Sequence, residues 1–319
     1  MDFQILVSNL TNPTLLFFVL GVVAVAIKSD LEIPSSSSKF IALYLLFAIG
    51  FKGGQELASS GFNDEIIYAL LFSILVSAVI PIYSFFVLKN RLGVSNAGAV
   101  AATYGSVSAV TFVASVTFLE AQQIDFGGHM VAVMALMESP AIIVGVILMR
   151  RFDKDGKGEG LGSIVRHSFT NGSVLMILGS LLIGLIADTK QAEGIKPFTT
   201  DIFKGFLAIF LLEMGMVTAK RFGAFRKYGW FAFLFAILMP AFNGCLVAFA
   251  SQWVTDDIGN RFMFAILAAS ASYIAVPAAM RLAAPNADPG LYVPMALGIT
   301  FPFNITIGLP LYLLVVTST

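Results

Sequence analysis

Ala102-Thr103-Tyr104-Gly105-Ser106-Val107-Ser108-Ala109-Val110-Thr111 and Ala268-Ala269-Ser270-Ala271-Ser272-Tyr273-Ile274-Ala275-Val276-Pro277 lie inside two apolar stretches, each long enough to cross a bilayer. Each stretch is interrupted near its middle by a Ser-x-Ser beside a helix breaker. Gly105 frees the backbone to turn. Pro277 removes an N–H and crowds the turn before it. In hydrocarbon every backbone N–H and C=O needs a partner. Such breaks are tolerated only where protein or a water-filled cavity satisfies the freed groups. Two matching breaks in one chain predict a paired site at the membrane midplane.

Composition puts the chain in lipid. Of its 319 residues 58% are hydrophobic and 12% are charged, with a mean hydropathy of +0.88. A soluble domain carries about 25% charged residues, and one core of this size cannot hide so much apolar surface. A soluble enzyme, a disordered chain and a collagen-like chain are excluded. The single cysteine, Cys245, excludes a disulfide framework and a Cys-based metal cluster. The net charge of +0 leaves no basic surface to replace phosphate counterions, so no nucleic-acid partner is expected.

A spanning helix takes about 20 mostly apolar residues. Ten stretches qualify: 12–27, 40–60, 65–88, 96–119, 129–149, 170–187, 202–219, 229–252, 262–283 and 290–316. The first has no Lys or Arg before Lys28, unlike a secretory signal, and reads as a permanent span. Cytoplasmic loops collect Lys and Arg. With ten spans, fourteen of the 19 such residues fall on the odd-numbered loops, which places those loops in the cytoplasm and both termini outside. The clearest signal is the central loop from Arg150 to Arg166. Its polar, glycine-rich stretch Asp153–Gly160 reads as a flexible linker.

That linker divides two similar halves. Asn12-Pro13-Thr14-Leu15 matches Asn171-Gly172-Ser173-Val174. Leu71-Phe72-Ser73-Ile74-Leu75 matches Leu234-Phe235-Ala236-Ile237-Leu238. Ser106-Val107-Ser108 matches Ser270-Ala271-Ser272, and Met134-Ala135-Leu136 with Pro140 matches Met295-Ala296-Leu297 with Pro302. The offsets stay between 159 and 164. Five spans per half mean that the second half enters the membrane in the opposite sense. The expected fold is an all-α integral membrane protein built as a 5+5 inverted repeat. It comprises a first repeat at 1–152, a cytoplasmic linker at 153–166 and a second repeat at 167–319. Inverted repeats are a common build of secondary transporters.

If each span breaks at its Ser-x-Ser, the second half-helix presents free N–H groups and a positive dipole end. Two such ends facing each other, with the hydroxyls of Ser106, Ser108, Ser270 and Ser272, make an anion site. Gly105, Ser106, Val107, Ser108, Ser270, Ala271 and Ser272 are its candidate residues. No arginine lies in either segment, which favours a small monovalent anion over phosphate or a nucleotide. The competing reading is tight helix packing with the hydroxyls bonded back to their own helices. Ionisable residues inside spans are costly and therefore informative. They are Lys52, Glu56, Glu138 and Glu213. Lys52 and Glu56 are spaced for an i, i+4 pair, or else sit near the outer surface. Glu138 precedes Pro140, Thr300 precedes Pro302, and Asn304 follows within a turn. With Ser108 and Thr111 they form an oxygen set suited to a hard cation such as sodium. A proline kink with locally satisfied polar groups is the alternative.

Three stretches carry a resemblance: MDFQILVSNLTNPTLLFFVLG (1–21), AATYGSVSAVTFVASVTFLE (101–120) and AASASYIAVPAAMRLAAP (268–285). Through them, and over essentially its whole length, the chain resembles the cyanobacterial sodium-dependent bicarbonate symporter family. The resemblance implies bicarbonate import with sodium across the plasma (inner) membrane, as part of a carbon-concentrating mechanism. It implies a homotrimer. It implies a gate domain from spans 1, 2, 6 and 7 and a core domain from spans 3–5 and 8–10, whose crossing helices hold the anion. It also implies a PII-like regulatory protein on the cytoplasmic face. The family tends to carry a longer central loop than this chain does. Sodium is then the coupling ion, with no other cofactor.

Two other classes remain in view. An intramembrane enzyme needs a nucleophile with its base, or metal ligands. The histidines are His129 and His167 alone, and no HExxH or GxSxG occurs, so no enzyme is expected. The alternative within transport is a sodium-coupled symporter or a channel for another small anion.

Overall fold

A computed structural model describes residues 13–60, 63–152, 162, 166, 172–222, 229–284 and 286–319. Among them there is no β-strand. The first half holds α1 (Pro13–Ala26), α2 (Ser35–Ser60), α3 (Asp64–Leu92), α4 (Val94–Gly105), α5 (Ala109–Ala121) and α6 (Met130–Phe152). The second holds α7 (Gly172–Ile186), the short α8 (Thr189–Glu193), α9 (Phe203–Phe222), α10 (Gly229–Ala250), α11 (Ile258–Ala269) and α12 (Ala275–Ala283). The last segment winds through α13 (Pro289–Met295), α14 (Phe301–Phe303) and α15 (Leu309–Ser318), joined by wide π-type turns at Ala296–Thr300 and Asn304–Gly308. The linker at 153–166 lies outside the described residues except for positions 162 and 166, as does His167.

Seven helical segments among the described residues are long and apolar enough to cross a membrane. Three of the ten expected spans correspond to shorter apolar helices, Leu16–Ala26, Gly172–Ile186 and Ile258–Ala269. The ninth falls short for a physical reason. Its helix stops at Ala269 and resumes only at Ala275, so neither piece is a full span.

Polar side chains start several helices by accepting the N–H groups that a first turn leaves unpaired. Asn63 Oδ1 accepts from Ile66 N at 3.0 Å, Asp257 Oδ1 from Asn260 N at 2.7 Å, and Ser108 Oγ from Thr111 N at 3.2 Å.

The helices pack as two groups. In one, α1 lies along α9 and α2 along α7, with α9 also touching α2. Small residues set the closeness of these crossings. A Cβ added at Gly21 would meet Leu212 and Met216, and one at Gly215 would meet Phe18. Gly54 and Gly184 fill the same role between α2 and α7. In the other group α3, α4 and α6 pack mutually, as do α10, α11 and α15. Helix α11 touches α3, α4 and α6, and α13 touches both α4 and α10, so these two join the trios.

Candidate functional site

The two interruptions meet each other. Helix α4 ends at Gly105, where Ser106 N still reaches Ala102 O at 3.0 Å, and α5 begins at Ala109. Helix α11 ends at Ala269, with Ser270 N bonded to Leu267 O at 3.1 Å, and α12 begins at Ala275. Across the crossing, Ser108 N donates to Ser270 Oγ at 2.9 Å, and Ser272 N donates to Thr103 O at 2.9 Å. Each break thus satisfies backbone groups of the other, as a low-dielectric interior demands.

Gly105 does not serve as a flexible turn. It lacks the positive φ found at Gly93 and Gly229, and it closes a regular helix. Its lack of a side chain matters for contact instead. A Cβ there would overlap the Pro81 ring and crowd Ala141 Cβ at 3.1 Å.

The crossing borders a small cavity of about 50 Å³. One water needs only ~10–15 Å³. The space suits a small ion and its partners rather than a bulky organic substrate. Ala109, Val110, Ile274 and Ala275, which carry the opening N–H groups of the two second half-helices, line it, as do Val107, Ser108, Ser272 and Glu138. The lining residues include no Lys or Arg. The positive ends of α5 and α12 therefore supply the local positive potential. The negative ends of α4 and α11 come to the same crossing, so anion and cation subsites are electrostatically compatible side by side.

The anion candidates divide by position. Ser108, Val107 and Ser272 line the cavity, whereas Gly105, Ser106, Ser270 and Ala271 are buried behind it. Ser270 Oγ donates to Leu267 O at 2.8 Å while accepting from Ser108 N, so its one proton is already used. Ser108 and Ser272 accept from Thr111 N and Val276 N, which leaves each hydroxyl proton for another acceptor. Ser106 Oγ is buried with no hydrogen-bond partner among the described residues.

The cation candidates are not gathered around one point. Glu138 and Ser108 share the cavity. Thr111 is buried one turn deeper. Thr300 Oγ1 donates to Ala236 O at 2.7 Å, the carbonyl that Pro240 leaves without its helical N–H, and pairs with Tyr104 Oη at 2.7 Å. Asn304 Nδ2 donates to Ala269 O at 2.8 Å, capping the end of α11, and its Oδ1 accepts from Tyr312 Oη at 3.0 Å.

Two residues outside the sequence-based set belong to the site. Tyr273 lines the cavity beside Ser108, and its hydroxyl reaches Met214 Sδ at 3.9 Å. Its place beside Ser272 was the available signal. Thr103 contributes only a carbonyl, for which side-chain chemistry gives no signal. Lys52, expected beside Glu56, makes its ion pair with Glu120. Glu213 Oε2 is buried without a hydrogen-bond partner among the described residues. No group of three or more His, Cys, Asp or Glu that could hold a metal ion occurs among the described residues.

The family model described as the Na+-dependent bicarbonate transporter superfamily matches residues 13–317. No curated protein matches the chain.

Proposed function

Because the chain belongs to the Na+-dependent bicarbonate transporter superfamily, we propose that it moves bicarbonate together with sodium into the cell by alternating access. The observation that carries this reading is the pair of interlocked helix breaks. Two positive half-helix ends and the Ser108 and Ser272 hydroxyls border one small cavity that holds no cationic side chain. A bicarbonate ion has one charge, three oxygens and one proton. It matches a site rich in N–H and O–H donors that carries only partial positive charge. Glu138 on the same wall supplies the negative charge that a sodium ion needs. Ser108, on the same cavity wall, adds an oxygen to that cation site, whereas Thr111, Thr300 and Asn304 lie outside the cavity and would reach the ion only after the helices shift.

Alternating access needs two bodies that move against each other. The packing of α1 on α9 and of α2 on α7 supports a gate made of spans 1, 2, 6 and 7. The remaining helices, which carry both breaks, make the core. The paired pattern of contacts, span 1 on span 7 and span 2 on span 6, is what an inverted repeat would give. We read the domains as 1–152 and 167–319 joined by the linker at 153–166, with ten spans and both termini outside the inner membrane. The homotrimer, the PII-like partner and the place in carbon concentration rest on the family resemblance.

Purified protein in proteoliposomes should take up labelled bicarbonate down an imposed sodium gradient. Replacing external sodium with choline should reduce uptake to that of empty vesicles. Equal uptake in sodium and choline would refute the coupling.

A further inference from the structure

Helix α2 runs past three cavities in order. Ser38, Lys39 and Ala42 line a recess of about 390 Å³. Ala42, Leu45 and Leu46 line the central cavity. Ala48, Ile49 and Lys52 line a second recess of about 300 Å³. The first recess and the central cavity share Ala42, Ser173, Phe210, Tyr273 and Ile274, so they adjoin. The central cavity and the second recess share no lining residue. Their boundary lies along one face of α5, where Val113 faces the centre and Val116 and Glu120 face the recess. The site thus abuts the recess at one end and is set apart from the recess at the other.

At the end set apart Glu120 holds two lysines. Lys204 Nζ lies 3.0 Å from its Oε2 and Lys52 Nζ lies 3.7 Å from its Oε1. Lys52 is on α2 and Lys204 on α9, both in the group read above as the gate. Glu120 is on α5, which carries part of the site. We propose that Lys52, Glu120 and Lys204 form a latch that ties gate to core and keeps this end of the path closed. The proposal rests on the alternating-access reading, because a latch has meaning only if the two groups separate. By the distribution of Lys and Arg this is the outer face, so the latched form is the one open to the cytoplasm.

The energetics suit a latch better than a permanent staple. The side chains are 48%, 37% and 63% exposed for Lys52, Glu120 and Lys204. Ion pairs this accessible are weak and are screened by salt. Breaking them biases an equilibrium without unfolding the protein. Capture of an incoming anion by the lysines is the weaker assignment. Both already face a carboxylate, and the nearby Thr199 hydroxyl donates to Ile195 O at 3.3 Å.

The test is a thiol reporter, Val113→Cys in a Cys245→Ser background, in proteoliposomes of fixed orientation. A membrane-impermeant thiol reagent is applied to the face bearing Glu120. Glu120→Gln and, separately, Lys204→Met should raise the labelling rate several-fold. The exchanged pair Glu120→Lys with Lys204→Glu should return it toward the parent rate. High salt should speed labelling of the parent but not of Glu120→Gln. One-sided labelling of the parent that both single variants leave unchanged would overturn the latch alone. Labelling of the parent that neither sodium nor bicarbonate changes from either face would overturn the alternating-access reading on which the latch rests.

Discussion

Glu138→Gln should reduce sodium-driven bicarbonate uptake by roughly tenfold to a hundredfold and shift half-saturation to much higher sodium. A carboxylate on a cavity wall inside a membrane protein is expensive unless something of opposite charge joins it. The lining residues offer no Lys or Arg for that purpose, and the two ion pairs among the described residues both use Glu120. A sodium ion is the partner that the account supplies. Interactions with a charged group contribute about 1.5–3 kcal/mol, which sets the size of the loss. Glutamine keeps the shape and one carbonyl oxygen, so the folded protein should survive. Sodium titration of uptake in proteoliposomes measures the effect. An unchanged half-saturation would remove Glu138 from the cation site.

Gly105→Val should be the most damaging single change at the crossing. Valine places two methyl groups where even a bare Cβ would overlap the Pro81 ring and press on Ala141. Pro81 is fixed inside α3 and has no flexible end to move aside. Overpacking of this kind costs about 1–3 kcal/mol. Here it would also push α4 from α3 and pull Thr103 O away from Ser272 N. Thermal unfolding in detergent should begin several degrees lower, and uptake should be lost. Gly179→Ala is the control, since a Cβ there meets nothing within 4 Å. It should leave both properties unchanged. A Gly105→Val protein with wild-type uptake would show that the close approach is dispensable.

Much of this architecture was legible in the chain because membrane burial simplifies the code. Apolar stretches had to be helices, and the Ser-x-Ser segments beside Gly105 and before Pro277 are where two helices stop. Direction inside the site was harder to read. Whether a serine faces a cavity depends on helix rotation and on what its hydroxyl already binds. Ser108 and Ser272 line the space and Ser270 turns its proton to Leu267 O, although all three sit in matched motifs. Thr300 looked free for an ion until Pro240, far away in sequence, exposed Ala236 O to it. The partner of Lys52 was missed for a related reason. Local spacing favoured Glu56, while Glu120 arrives from another helix through tertiary packing. The wide turns at Ala296–Thr300 and Asn304–Gly308 left no periodic signal, since prolines at 294, 302 and 310 read equally well as simple kinks.

The most direct measurement is equilibrium binding of labelled bicarbonate to purified protein, in sodium or in choline, for the wild type, Ser106→Ala and Ser272→Ala. The wild type should bind only in sodium. Ser272→Ala should bind on the order of tenfold more weakly, as expected for losing one donor to a charged guest. Ser106→Ala should bind nearly as tightly as the wild type and unfold no earlier, because the hydroxyl it loses is buried behind the cavity wall without a partner. Undiminished binding in Ser272→Ala, or wild-type binding that ignores sodium, would contradict the account.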